Sequence, residues 1–263
     1  MHNFVSLMLF TFTAQAAIGM VLVNNALLAA GYVSTSEKIL IRSRHLVSLL
    51  LIIALATAFF HLGKPFRAVY ALSNVCRSPL SMEIASLSLL LAISLADSWL
   101  SMSSGMNTVK RVVPFLSVVA ALLLLVTMTA IYLIPAVPSW HNFRTPLSFA
   151  LTAVSGGTAV IAILMPEKEV KASRRLLLVA ACSALLLMSP TITLNLNAPA
   201  PRSALVVIQS AILVMALIMI IPNRPSRKMN KSYHSAVISG TLVLLSVLIA
   251  RLLFFLSYDN NIL

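Results

Sequence analysis

The sequence predicts an all-α integral membrane protein: an eight-transmembrane-helix bundle, one polytopic membrane domain over residues 1–263, with both termini on the outer (periplasmic) side. Three observations predict it. Of 263 residues, 60% are hydrophobic and 10% charged, and the mean hydropathy is +0.99, far from the composition of a soluble domain. Eight runs of membrane length carry almost no charge and are continuously apolar, which suits helices and not the alternating strands of a barrel. Basic residues collect in every second connection between the runs, which orients the chain.

The first run, 4–32, carries Gln15 near its middle and Asn24 and Asn25 on its inner third. Ala14-Gln15-Ala16 fits a small-residue cleavage pattern, but no Lys or Arg precedes Lys38 and the apolar run continues to Tyr32, so it reads as a span. Asn24 and Asn25 read as interhelical hydrogen-bonding residues. The second run, 46–63, closes on His61. The third, 80–102, has Glu83 just inside its start; Asp97, near its inner end and close to Lys110 and Arg111, reads as an interfacial anchor. The fourth, 112–134, leads into a proline-stiffened connection at 135–146 with Trp140 as an interface aromatic. The fifth, 147–165, contains Gly156-Gly157. The sixth, 176–194, holds Cys182 and Pro190, with Asn195 and Asn197 in the short connection beyond. The seventh is 203–222, and the eighth, 236–257, contains Arg251. The connections are short, so successive helices are expected to be antiparallel neighbours.

The connections 33–45, 103–111, 166–175 and 223–235 carry thirteen Lys and Arg; 64–79, 135–146 and 195–202 carry five. The richer set belongs in the cytoplasm, so the 64–79 connection faces outward. The formal net charge of +13 is thereby explained by topology and calls for no nucleic acid. Cys76 and Cys182 have no metal-ligand spacing and read as unpaired thiols.

The stretch from Phe59 to Ile84 concentrates the polar chemistry: His61 at the end of one span, Lys64, Arg67 and Arg77 in the connection, and Glu83 inside the next span. A carboxylate in a membrane segment marks a functional site by default. By the helical rise of about 1.5 Å per residue, His61 lies ~3 Å from the outer end of its span, Glu83 ~5 Å inside, and Arg251 ~9 Å below the surface. Three ionisable side chains thus share one shallow outer layer, the wall of a small-molecule site. Arg251 needs a partner in the bundle, and Glu83 is a candidate; a purely structural buried pair is the other reading.

H-L-G-K-P-F-R-A at 61–68, then S-P-L-S-M-E-I-A at 78–85, resembles the membrane-anchor subunit of the bacterial dimethyl sulfoxide reductase family, a DmsC-like pattern of H-L-G-x-P-x-R-A and L-S-x-E-I-A. Weaker matches extend it along the chain: Gln15 with Gly19, V-P-S-W at 137–140, Thr145-Pro146, Gly156-Gly157, and L-I-A-R-L-L-F-F around Arg251. The resemblance implies an anchor in the bacterial inner membrane that oxidises menaquinol from the menaquinone pool, carries no haem, and passes electrons to a four-cluster, ferredoxin-like iron–sulfur subunit. It also implies a molybdopterin catalytic subunit; the iron–sulfur clusters and molybdopterin belong to these partners. It places the quinol site on His61, with Gly63, Pro65 and Arg67 beside it and Glu83 as its carboxylate, and it brings in Gln15 and Arg251. Two alternatives stand beside it. A haem-b quinol anchor needs two His at matched depth, and of His2, His45, His61, His141 and His234 only His61 falls within a span. A small-solute transporter needs a midplane site on paired broken helices, for which Gly156-Gly157 and Pro190 are the hints.

Overall fold

The structure is a computed structural model that describes residues 2–31, 37–61, 77–102, 109–195, 200–221 and 229–257. Among the described residues every regular element is helical: α1 His2–Ala29, α2 Glu37–His61, α3 Pro79–Met102, α4 Val109–Tyr132, α5 Arg144–Leu164, α6 Val170–Asn195, α7 Ala200–Ile220 and α8 Met229–Leu256, with a 3-10 turn at Glu167–Glu169 before α6. All eight α-helices contain a stretch long and apolar enough to cross a membrane. The protein is a multi-pass membrane protein.

The helices extend beyond the apolar runs. α2 starts at Glu37, nine residues before its run, and α8 starts at Met229. Hydropathy marks the part inside hydrocarbon, but the helical hydrogen-bond ladder continues into water wherever good helix formers follow. α3 starts at its run's edge because Pro79 occupies the first helical position, where its fixed φ fits and no amide donor is lost.

The helices form two four-helix units. α1 packs on α2 and α4, and α3 on α2 and α4; α5 to α8 make a second ring, with α6 also against α8. One apolar core gathers α1 to α4 with Phe149, Ala153 and Ile161 of α5 and Phe254 and Phe255 of α8; a second lies among α5 to α8. The units join along α1 and α5, which are in close backbone contact at Gly19 and Gly157. A Cβ on Gly19 would strike the Ala153 carbonyl, and one on Gly157 would strike the α1 backbone at Gly19 and Met20. Lipid is as apolar as leucine, so association here depends on close packing of small residues.

Hydroxyls supplement that packing. Ser43 donates to Asn24 (3.0 Å) between α2 and α1; Ser48 and Ser98 (3.0 Å) join α2 to α3; Ser86 and Thr127 (2.7 Å) join α3 to α4; Ser155 and Ser183 (2.8 Å) join α5 to α6. Each such bond is worth about 0.6 kcal/mol in a membrane.

Candidate functional site

The up-and-down order of α1 to α4 brings four helix ends to one face: the starts of α1 and α3 and the ends of α2 and α4. The first unit is not filled at that end. A cavity of about 230 Å³ lies among Leu7 and Phe10 of α1, Ala58 of α2, Leu80, Glu83, Ile84 and Leu87 of α3, Ile131 and Tyr132 of α4, and Ile134 and Trp140 of the connection after α4. Leu80 and Ile134 of its lining are each 41% exposed, so the cavity lies at the surface of the bundle.

Glu83 is the acidic group on this wall. It is 6% exposed, and its Oε1 has no hydrogen-bond partner. Among the described residues it makes no ion pair. One turn deeper, Ser86 bonds both the Glu83 carbonyl (3.0 Å) and Thr127 of α4, which fixes the backbone that carries the carboxyl. A buried polar group left unsatisfied costs about 1–3 kcal/mol. A ligand that brings a hydroxyl or carbonyl into an otherwise apolar cavity offsets that cost. The arrangement therefore suits a mostly apolar molecule with polar atoms on a small head.

His61 is the last residue of α2, one turn beyond the cavity-lining Ala58. Gly63, Lys64, Pro65 and Arg67 lie outside the described residues. Gln15 is fully buried in α1, with neither amide atom hydrogen-bonded, and is not among the cavity-lining residues. Arg251 is also fully buried and stands behind the cavity wall.

Glu83, a candidate partner for Arg251, does not pair with it. Arg251 instead donates from Nε (3.1 Å) and Nη2 (2.9 Å) to the Thr152 hydroxyl of α5. Its guanidinium lies over Phe149 at 4.1 Å and over Phe254 at 5.2 Å from the ring centroids. A planar, weakly hydrated cation can be accommodated by a hydroxyl and two ring faces where a carboxylate is absent.

Those rings belong to a block that closes the helices at the end where Glu83 stands. Tyr132 meets Trp140 (5.5 Å), Phe254 (5.8 Å) and Phe255 (5.7 Å) edge-to-face, and Phe149 (5.1 Å) at a tilt. Trp140 stacks on Phe254 at 5.3 Å. Its indole N–H donates to the Phe254 carbonyl and to the Ser257 hydroxyl, both at 3.2 Å, which satisfies a carbonyl at the end of α8. Trp140 is thus a buried cap and not the lipid-interface anchor expected from its position. The connection around it is held by turns: Trp140 N–H to the Val137 carbonyl, Thr145 hydroxyl to the Trp140 carbonyl, and Arg144 N–H to the Asn142 side chain.

At the opposite end of the same unit, Asp97 is buried and pairs with Arg44 of α2 at 3.2 Å. It therefore joins two helices through an ion pair. The early start of α2 is what brings Arg44 to it. Asn24 accepts an interhelical bond as expected, whereas Asn25 bonds back to Val21 of its own helix (2.8 Å). Cys182 is a free, exposed thiol, and Cys76 lies outside the described residues.

Tyr132 is the cavity residue that the sequence did not mark. A tyrosine at the end of a span ordinarily reads as an interface aromatic. Its one distinguishing signal was its place at the same depth as Glu83.

Fold and site define an all-helical, multi-pass membrane protein with an apolar cavity and a buried carboxyl on its wall. Residues 1–261 match the model of the DMSO reductase anchor subunit (DmsC) family, and the protein belongs to that family. It is 32% identical over 169 residues to the C subunit of the anaerobic dimethyl sulfoxide reductase of Haemophilus influenzae, covering 62% of this sequence and 59% of that protein. It is 28% identical over 166 residues to the anaerobic dimethyl sulfoxide reductase subunit YnfH of Escherichia coli, covering 62% and 58%. With the C subunit of the Escherichia coli anaerobic dimethyl sulfoxide reductase the identity is 31% over 158 residues, covering 57% and 54%. The match thus spans less than two thirds of the length of these curated relatives.

Proposed function

We propose that this protein anchors a dimethyl sulfoxide reductase-type complex in a bacterial inner membrane and oxidises menaquinol in the cavity beside Glu83. The observation that carries the reading is the cavity itself: apolar, at the surface of the bundle, and furnished with a carboxyl whose Oε1 has no partner. An apolar cavity of about 150 Å³ takes one benzene ring. The larger volume of about 230 Å³ suits a fused two-ring head. The isoprenoid tail would leave between Leu80 and Ile134 into the bilayer.

Oxidation of the quinol breaks two O–H bonds, releases two protons and two electrons, and leaves two ring carbonyls. In this reading His61 accepts one proton, because imidazole exchanges protons near neutral pH. Glu83 holds a ring oxygen and passes the other proton toward water. The electrons leave to an iron–sulfur subunit docked on the same face, then to a molybdopterin subunit that reduces the terminal acceptor. Membership of the family and the names of the relatives support these partners. The basic asymmetry supports an outer site, so both protons are released outside and the anchor does not pump.

The test uses the assembled complex in membranes. His61→Arg replaces a proton acceptor with a side chain that stays charged, and Glu83→Gln keeps the shape without the carboxylate. Each variant should leave the complex membrane-bound and active with an artificial reductant that feeds the catalytic subunit. Quinol-driven turnover should fall to background. Near-normal quinol oxidation by both assembled variants would place the site elsewhere.

A further inference from the structure

We infer that the Tyr132 phenol is the second polar contact for the ligand in this cavity, binding the ring oxygen that Glu83 does not hold, with Arg251 as the positioning residue behind it. This rests on the quinol reading and adds a residue to it.

Three of the cavity-lining side chains carry a polar atom: Glu83, Tyr132 and Trp140. The indole N–H of Trp140 is already committed to Phe254 and Ser257. The Tyr132 hydroxyl makes no hydrogen bond to a described residue, although the residue as a whole is only 4% exposed. A buried tyrosine ordinarily finds a partner for its hydroxyl. Here the ring is clamped by Trp140, Phe149, Phe254 and Phe255, so the hydroxyl cannot swing away to search for one. It is a fixed polar point on an apolar wall that also carries Glu83.

A para-diol head carries two polar oxygens, and the cavity lining offers two polar groups, Glu83 and Tyr132, to meet them. A phenol also suits both redox forms. Its O–H donates to a lone pair of the quinol hydroxyl and then of the quinone carbonyl, which leaves the hydroxyl proton for His61 and lets the contact survive oxidation without a change of partner. Arg251 acts through the rings. Its guanidinium spreads across Phe149 and Phe254, two of the four rings that hold Tyr132, and Thr152 fixes it there.

The experiment compares the assembled complex with its Tyr132→Phe variant, using 2,3-dimethyl-1,4-naphthoquinol as donor and 2,3-dimethylnaphthalene as a competitor without hydroxyls. Loss of one hydrogen bond should raise KM for the quinol by about 10-fold. The inhibition constant of the naphthalene should not move. Arg251→Met should raise KM in the same direction, and should add little in the Tyr132→Phe background. An unchanged KM in Tyr132→Phe, with quinol turnover still lost in Glu83→Gln, overturns this inference and leaves the quinol site standing. Equal weakening of both probes also overturns it, because that is the signature of a packing role. Near-normal turnover in both Glu83→Gln and Tyr132→Phe overturns both readings. Should the variant fail to assemble, isotope-edited infrared spectra of ¹³C-carbonyl-labelled 2,3-dimethyl-1,4-naphthoquinone in the unaltered complex decide the matter. Both carbonyl bands should shift to lower frequency; one band at the unbonded position overturns the two-point contact.

Discussion

Arg251 shows how a full charge is tolerated inside a membrane bundle without a carboxylate. Its two donor bonds to Thr152 and its two ring faces are the described interactions that hold it, while Nη1 has no partner. Thr152 in turn donates to the Ser148 carbonyl at 2.8 Å, so its oxygen is fixed as the acceptor. Thr152→Val keeps the shape and removes that acceptor. Hydrogen bonds to charged groups are worth about 1.5–3 kcal/mol, and the loss should be of that order. Thr152→Val combined with Arg251→Met removes the charge as well and should recover most of it, since a buried charge costs most when its partner alone is deleted. Thermal unfolding of the three variants in detergent, followed by loss of helical signal, measures the cycle. An additive result would mean that the two side chains do not depend on each other. At this scale the sequence was partly legible. Glu83 and Arg251 stood out because charges in apolar spans are rare, but nothing in the sequence told that Arg251 would choose Thr152. A threonine is common in membrane helices, and ring faces leave no polar mark.

At the scale of the element, neighbouring glycines on α5 make opposite predictions. A Cβ on Gly156 would meet Ala16 at 3.6 Å, an ordinary contact, whereas one on Gly157 would run into the α1 backbone. Gly156→Ala should therefore change stability by less than about 1 kcal/mol, with the gain in helix propensity helping. Gly157→Ala should cost about 1–3 kcal/mol or more, because main chain cannot rotate aside as a side chain can. The readout is the yield and melting temperature of the purified protein; equal tolerance of both changes would show that α1 and α5 are not in contact at Gly157. The existence of all eight helices was legible from apolar length alone. Their buried faces were not, because lipid and core both select apolar residues, so hydropathy does not distinguish the two sides. The burial signal lies in small and hydroxylated residues: Thr145, Ser148, Thr152, Ser155, Gly156 and Ala159 of α5 are all buried. The onset of α2 was missed for a different reason. Its first turns carry Lys38, Arg42 and Arg44, which hydropathy reads as a connection, while Arg44 reaches inward to Asp97.

For the whole molecule, the alternation of helix directions decides where the chemistry can be. The starts of α1, α3, α5 and α7 and the ends of α2, α4, α6 and α8 belong to one face. Glu83, Tyr132, Trp140 and the end of α2 at His61 all stand there, while the Arg44–Asp97 pair stands toward the other. The connections on the Asp97 side are those with thirteen basic residues, against five on the cavity side. Cytoplasmic connections retain Lys and Arg, so the cavity should face outward and both termini with it. A reporter active only in the cytoplasm should therefore be silent when fused after Leu263 and active when inserted between 166 and 175. Strong activity at Leu263 would invert the bundle. Glu83 and Tyr132 would then face the cytoplasm, the quinol protons would be released inside, and a partner on the outer face could not receive electrons from this cavity.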